Sequence, residues 1–193
     1  MNDNNCPHCK AILDPMPQRR KKCPSCGKDI YVRTDPFKKV KILVNYTDAL
    51  STDIIANMEI KDKEYKVVEK ELTQEFKTTP SRSDILWRII GNRQMEAMKK
   101  GQWQQLSSLY FTQAEFLHKQ GKGYSHILKI AMKCQLEHMR SMDITKMEIL
   151  ASQCNKCASI NGHKISVEEA LEVIPLPPED CENIACFMYL PSR

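Results

Sequence analysis

Cys6-Pro7-His8-Cys9, followed 13 residues later by Cys23-Pro24-Ser25-Cys26-Gly27, is a pair of Cys-x-x-Cys turns in the first 27 residues of the chain. Two residues between thiols let both sulfurs turn toward one point. Two such turns together supply the tetrahedral four-sulfur shell that zinc takes at about 2.3 Å per bond. Gly27 suits the turn just past the second pair, where a Cβ would obstruct the backbone. The spacing predicts a zinc site built from Cys6, Cys9, Cys23 and Cys26. A redox dithiol would need a lone Cys-x-x-Cys beside a βαβ unit, and this stretch has neither the length nor the pattern. His8, inside the first turn, reads as an exposed side chain rather than a fifth ligand. Downstream, Ile30-Tyr31-Val32-Arg33-Thr34 is β-branched and aromatic and reads as a strand that Asp35-Pro36 closes. Val40-Lys41-Ile42-Leu43-Val44 is either a further strand or the exit from the module, because periodicity cannot decide over so short a run.

The whole chain of 193 residues, 41% hydrophobic and 27% charged, suits one ordinary soluble domain or two small ones. No run of roughly 18 apolar residues is present to span a bilayer, so no membrane anchor is expected. The N-terminal residues lack both a basic start followed by an apolar stretch and the look of a transit peptide, and a cytoplasmic location is expected. In a reducing compartment, 9 Cys argue for thiolate metal sites rather than a disulfide framework. The net charge of +5 is unevenly spread: residues 1–41 hold ten Lys and Arg against four Asp, a balance of +6, and the remainder sums to −1. Arg19-Arg20-Lys21-Lys22 is the densest cluster and is expected in a loop that projects four cations toward phosphate. The asymmetry marks a phosphate-contacting module, or a counter-charge that neutralises thiolates gathered on a divalent ion; both readings stand.

From about Thr47 to Met142 the pattern turns helical, with the limits of the first helix blurred over Asn57 to Glu64. Thr79-Pro80-Ser81-Arg82-Ser83 breaks the chain, and Ser83 is the expected N-cap of a helix carrying Ile85, Leu86, Ile89, Ile90 and Ala97 on one side. Gly101 ends it. Trp103, Leu106, Tyr110, Ala114 and Leu117 mark the next helix, interrupted at Gly121-Lys122-Gly123, and Ile127, Ala131, Cys134 and His138 mark a third. Short breaks between helices predict a compact antiparallel bundle or a helical-repeat fragment. Cys134, on the apolar seam, behaves as a small hydrophobe, and the Met residues are core filler.

Beyond about Lys146 the pattern changes again. Met147-Glu148-Ile149-Leu150 is a candidate strand, with Lys164-Ile165 as its return partner across Asn161-Gly162. Ser166 with Glu169 is a capping box that opens a helix over Val167 to Val173, and Pro175, Pro177 and Pro178 forbid its continuation. Cys154-x-x-Cys157 and Cys181-x4-Cys186 form a second foursome, with His163 as a competing ligand. A nuclease built on a zinc knuckle would want His163 as base and a second His or Asn downstream on the metal, and no His follows 163.

The opening cysteines, with Lys21-Lys22-Cys23-Pro24-Ser25-Cys26-Gly27-Lys28-Asp29-Ile30-Tyr31-Val32-Arg33-Thr34, resemble a little-characterised group of bacterial and phage-borne zinc-ribbon proteins. Cys154-x-x-Cys157, Asn161-Gly162-His163-Lys164-Ile165, the Pro run and the closing cysteines resemble the C-terminal cysteine motif of phage minor head (head-morphogenesis) proteins. That family ends in a His-Pro-x-Cys-Arg-Cys element, whereas here Cys181 follows Pro178-Glu179-Asp180 without a His, and four residues separate the last two cysteines. The resemblances imply phage or prophage ancestry and no particular reaction.

The expected architecture is α+β, mostly α: a zinc ribbon over 1–44, an antiparallel helical bundle over 45–145 and a treble-clef-like zinc finger over 146–193. Two Zn2+ ions are expected. The chain carries no phosphate-cradling Gly loop, nucleophile elbow or His-Glu-x-x-His motif. The expected role is therefore non-enzymatic: an adaptor that meets DNA or RNA through Arg19, Arg20, Lys21 and Lys22 and a protein through its helices. A part in phage head assembly is the structural alternative and a metal-dependent nuclease the enzymatic one. No catalytic residue and no small-molecule substrate are indicated.

Overall fold

A computed structural model describes residues 4–151, 155–177, 181, 183, 184 and 187–192. The chain is α+β and mostly helical, with two small sheets, and divides into two compact units, Met1–Gly91 and Asn92–Arg193. Among the described residues no helix is long and apolar enough to cross a membrane.

The first unit opens with three antiparallel strands in the order β1-β2-β3: β1 over Lys21–Lys22, β2 over Asp29–Thr34 and β3 over Lys41–Val44. Tyr31 pairs with Val44 and Thr34 with Lys41, which settles the short run before α1 as a strand. One side of β2 sends Ile30 into a small core of Cys6, Leu13, Cys23 and Ile30, against which Cys26 and Leu43 also pack.

Helix α1, Tyr46–Asn57, follows, capped by Asn45, whose side chain accepts the Asp48 N–H at 2.9 Å. Arg33 of β2 reaches Asp53 of α1 at 2.7 Å. Helix α2, Asp62–Phe76, ends at Lys77 in the left-handed conformation, and its Tyr65 ring lies 4.9 Å from Phe37 in the β2–β3 turn. Residues 1–44 are thus joined to helices within one unit.

Helix α3, Arg82–Lys99, is capped by Ser81 and not by Ser83. The Ser81 hydroxyl accepts the Asp84 N–H, and the Asp84 carboxylate accepts from the Ser81 N–H at 2.9 Å. Ser81 has an acid three residues ahead to return the hydrogen bond, and Ser83 has Leu86 there. The Arg82 guanidinium pairs with Asp35, a carboxylate with only 5% of its side chain exposed, which also accepts the N–H groups of Phe37 and Lys38 at 2.9 Å each.

The division between the units falls inside α3, and each unit has its own core. In the second, α4 (Trp103–Lys119) and α5 (Ser125–Ser141) pack along each other, with the Ser107 hydroxyl donating to the Ala131 carbonyl at 2.8 Å. Cys134 is buried with Ala97 and Leu106, as a small hydrophobe on the seam should be. A second sheet, ordered β5-β4-β6, contains β4 (Lys146–Ala151), β5 (Lys164–Ser166) and β6 (Phe187–Pro191).

Alternation along β4 buries Met147, Ile149 and Ala151 against Leu128, Met132 and Leu136 of α5. Between β4 and β5 lies a four-residue helix, α6 (Asn155–Ala158). After β5 comes α7 (Val167–Val173), whose Ser166 cap accepts the Glu169 N–H at 3.1 Å. The Asn161-Gly162 turn is present, with Gly162 at φ +76° and the Asn161 side chain accepting the Ala151 N–H at 2.9 Å.

Candidate metal centre

Both Cys-x-x-Cys turns close in the same way. The Lys10 N–H donates to the Cys6 carbonyl at 3.0 Å, and the Gly27 N–H to the Cys23 carbonyl at 2.9 Å. Each turn is then tied back by its first cysteine, with the Cys6 N–H on the Ala11 carbonyl and the Cys23 N–H on the Lys28 carbonyl, both at 2.9 Å. The residue after each second cysteine is left-handed: Gly27 at φ +71° and Lys10 at φ +63°. Gly27 takes this conformation without penalty. Lys10 does so with a Cβ, at a cost of order 1–2 kcal/mol, and no sequence signal marks it.

The result brings Cys6, Cys9, Cys23 and Cys26 together with all four sulfurs within 4.8 Å of one another, a group able to hold a metal ion. Cys6 Sγ lies 3.9 Å from Cys26 Sγ, and Cys9 Sγ lies 3.7 Å from Cys23 Sγ. A tetrahedral zinc with bonds of about 2.3 Å requires sulfurs about 3.8 Å apart, whereas a disulfide would bring them to about 2.05 Å. The four are free thiols at ligand spacing.

The thiols are not equivalent. The Cys26 N–H, opposed by burial and helped by the Ser25 N–H and the sulfurs of Cys6 and Cys26, pushes Cys23 down to about 6. At Cys9 the Ala11 N–H favours the thiolate, but desolvation and the three neighbouring sulfurs push it up to about 11. Four gathered thiolates repel one another, and a dication relieves that repulsion.

His8 is exposed, and its Nε2 lies 3.0 Å from the Asp29 carbonyl oxygen, outside the sulfur group. The loop expected at Arg19, Arg20, Lys21 and Lys22 is a correction. Lys21 and Lys22 form β1, paired with Ile30 and Asp29, so the alternation of a strand replaces a common projection of four cations. Arg20 meets the Asp29 carboxylate at 3.1 Å and lies over the Tyr31 ring at 5.0 Å, which leaves Arg19, Lys21 and Lys22 exposed without an ion pair to any described residue. The Arg20 hydrogen bond holds the Asp29 carboxyl below the usual carboxylate range.

Of the second foursome, Cys157 and Cys181 are brought together with sulfurs 3.5 Å apart, and Tyr124 donates to the Cys181 carbonyl at 3.3 Å. Cys154 and Cys186 lie outside the described residues. His163 is exposed in its turn, and its carbonyl accepts the Ile149 N–H at 2.9 Å. Among the described residues the N-terminal four are the group of three or more metal-ligating side chains that converge. No known family model, curated protein or solved structure matches this chain.

Proposed function

We propose that the chain is a zinc-stapled, non-enzymatic binding protein whose N-terminal module, a zinc ribbon, contacts the backbone of nucleic acid. The observation that carries this reading is the four-sulfur group, with sulfur separations of 3.7 and 3.9 Å, beside a strand edge of exposed cations. Zinc closed by four sulfurs has no open position for water or substrate, so it supports shape and not hydrolysis. It would hold β1–β3 rigid and so fix Arg19, just before β1, and Lys21 and Lys22, on opposite sides of that strand, along the sheet edge, in a segment whose own core is small.

A second zinc site, in a treble-clef-like C-terminal finger of Cys154, Cys157, Cys181 and Cys186, is part of the same reading and is supported by the close Cys157 and Cys181 sulfurs. The helical second unit would meet a protein. That is favoured by a hollow of about 490 Å³ on α4, α5 and β6, lined by Phe111, Met132, Met139, Met142, Phe187 and Met188 among others and by no Lys, Arg, Asp or Glu.

The test is the salt dependence of DNA or RNA binding by the full zinc-loaded chain. Binding should weaken steeply with salt. A triple Arg19→Ala, Lys21→Ala, Lys22→Ala variant should flatten the log–log slope by roughly 0.7 to 0.9 for each phosphate that is no longer neutralised. Absence of binding at low salt contradicts the nucleic-acid reading and leaves the cations as counter-charge to the thiolates.

A further inference from the structure

The outer side of β2 carries a feature that the basic residues alone do not explain. Asp29, Tyr31 and Arg33 alternate on the side opposite Ile30, and all three are half-buried. The Tyr31 ring is bracketed. The Arg20 guanidinium lies over it at 5.0 Å, and Tyr46, at the start of α1, meets it with ring centroids 5.4 Å apart at 45°. Tyr46 is 43% exposed, a large amphipathic ring kept at the surface by contact with a second ring. Beside it opens a hollow of about 420 Å³ lined by His8, Asn45, Tyr46, Thr47, Asp48 and Ser81. Apart from Tyr46 its lining is polar, and it includes the Asp48 carboxylate, whose Oδ2 accepts from the Asn45 amide at 2.8 Å and whose lone pairs exceed that one hydrogen bond, so that it can also accept an amino or imino N–H.

We propose that this Arg20, Tyr31 and Tyr46 face binds single-stranded nucleic acid, with one base stacked on Tyr46 and its edge turned to the adjoining hollow. The inference rests on the reading of the N-terminal module as a nucleic-acid contact and adds which form of nucleic acid it takes. Phosphate contact alone does not distinguish duplex from single strand. An exposed ring does, because the bases of a duplex already stack on one another, while those of a single strand are free to stack on a side chain. Lys22, opposite Asp29 in the β1–β2 ladder, is an exposed cation on this same side of the sheet, and the exposed Arg19, just before β1, and Lys28, in the turn between β1 and β2, add positive charge to the module for a backbone to follow. The hollow has room for one base, and its carboxylate favours a base edge that donates.

The experiment is fluorescence anisotropy with the full zinc-loaded chain at fixed salt, using unstructured DNA and RNA oligonucleotides and a DNA duplex of matching sequence. Single strands should bind more tightly than duplex, and the DNA and RNA arms show whether the sugar matters. Tyr46→Ala and Tyr46→Leu should each weaken single-strand binding roughly 5- to 150-fold, the loss of one base stack, with duplex binding and the salt slope unchanged. Tyr46→Phe should keep wild-type affinity, and unaltered zinc content in all three variants shows an intact module. Equal binding of single strand and duplex, with Tyr46→Leu silent, overturns the stacking face and leaves the phosphate-contacting reading intact. Absence of binding to any of the three at low salt overturns both.

Discussion

Replacing Asp35 with Asn separates the two things this buried carboxylate does. Its Oδ1 accepts the Phe37 and Lys38 N–H groups at 2.9 Å, and its Oδ2 pairs with the Arg82 guanidinium. Asn can keep the turn through its carbonyl oxygen, but it loses the charge and turns an amide that donates toward a cation. Losing a charge-assisted hydrogen bond costs about 1.5–3 kcal/mol. Arg82 keeps 22% of its side chain in water, which offsets part of the penalty for stranding a cation, so Asp35→Asn should destabilise by about 2 kcal/mol. Asp35→Ala also strips the partner from two turn N–H groups and should cost about 1–2 kcal/mol more.

Burial pushes the Asp35 carboxyl up. The Lys38 N–H, Arg82 and the Phe37 N–H together outweigh burial and hold it below the usual carboxylate range. Because its folded pKa is depressed, the contribution is complete above about pH 4 and is lost as pH falls through the folded value, so wild type and Asp35→Asn should converge in acid. Urea unfolding in a Trp103→Phe background, with Trp87 as the remaining indole, follows the first unit. A loss under 0.5 kcal/mol for Asp35→Asn, or equal losses for Asn and Ala, would refute this division of roles.

Zinc uptake by the metal-free chain at pH 7 should release protons, because the Cys9 thiol, pushed up to about 11, must give up its proton to bind; calorimetry in buffers of different ionisation enthalpy should show it, and uptake without proton release would count against Cys9 as a ligand. Lys10→Gly should stabilise the first unit by about 0.5–1 kcal/mol, the relief of left-handed strain less the added freedom of the unfolded chain, and a loss of stability would show that the strain reasoning is wrong. Cys134, buried and with its thiol pushed up to about 11 by burial and Glu137, should resist alkylation at pH 8 after a chelator has exposed the ligand cysteines, and prompt labelling at Cys134 would contradict its place in the core.

The elements with a strong local signal were legible in the sequence. The Cys-x-x-Cys pairs converge as their spacing requires, and the Asn161-Gly162 turn pairs β4 with β5. The Ser166 cap and the helices marked by Leu106 or Ala131 also lie where their patterns put them. What escaped depends on residues far apart in sequence. Asp35 finds Arg82 across 47 positions, and Tyr31 meets Tyr46 only because β2 pairs with β3 and delivers the start of α1 beside it. β6 follows a proline-rich segment with no turn signature and becomes a strand through its pairing with β4, where Tyr189 lies opposite Ile149. The basic cluster misled because four adjacent cations suggest a loop, whereas the ladder to β2 extends Lys21 and Lys22 and Asp29 claims Arg20.

The zinc content of the purified full chain, measured beside its Cys23→Ser variant, tests the metal centre most directly. About two zinc ions per chain are expected in the wild type, with one lost in Cys23→Ser and the helical signal of the second unit retained. A wild-type chain without zinc, or a Cys23→Ser chain that keeps all of it, would contradict the assignment of Cys6, Cys9, Cys23 and Cys26 as a zinc site.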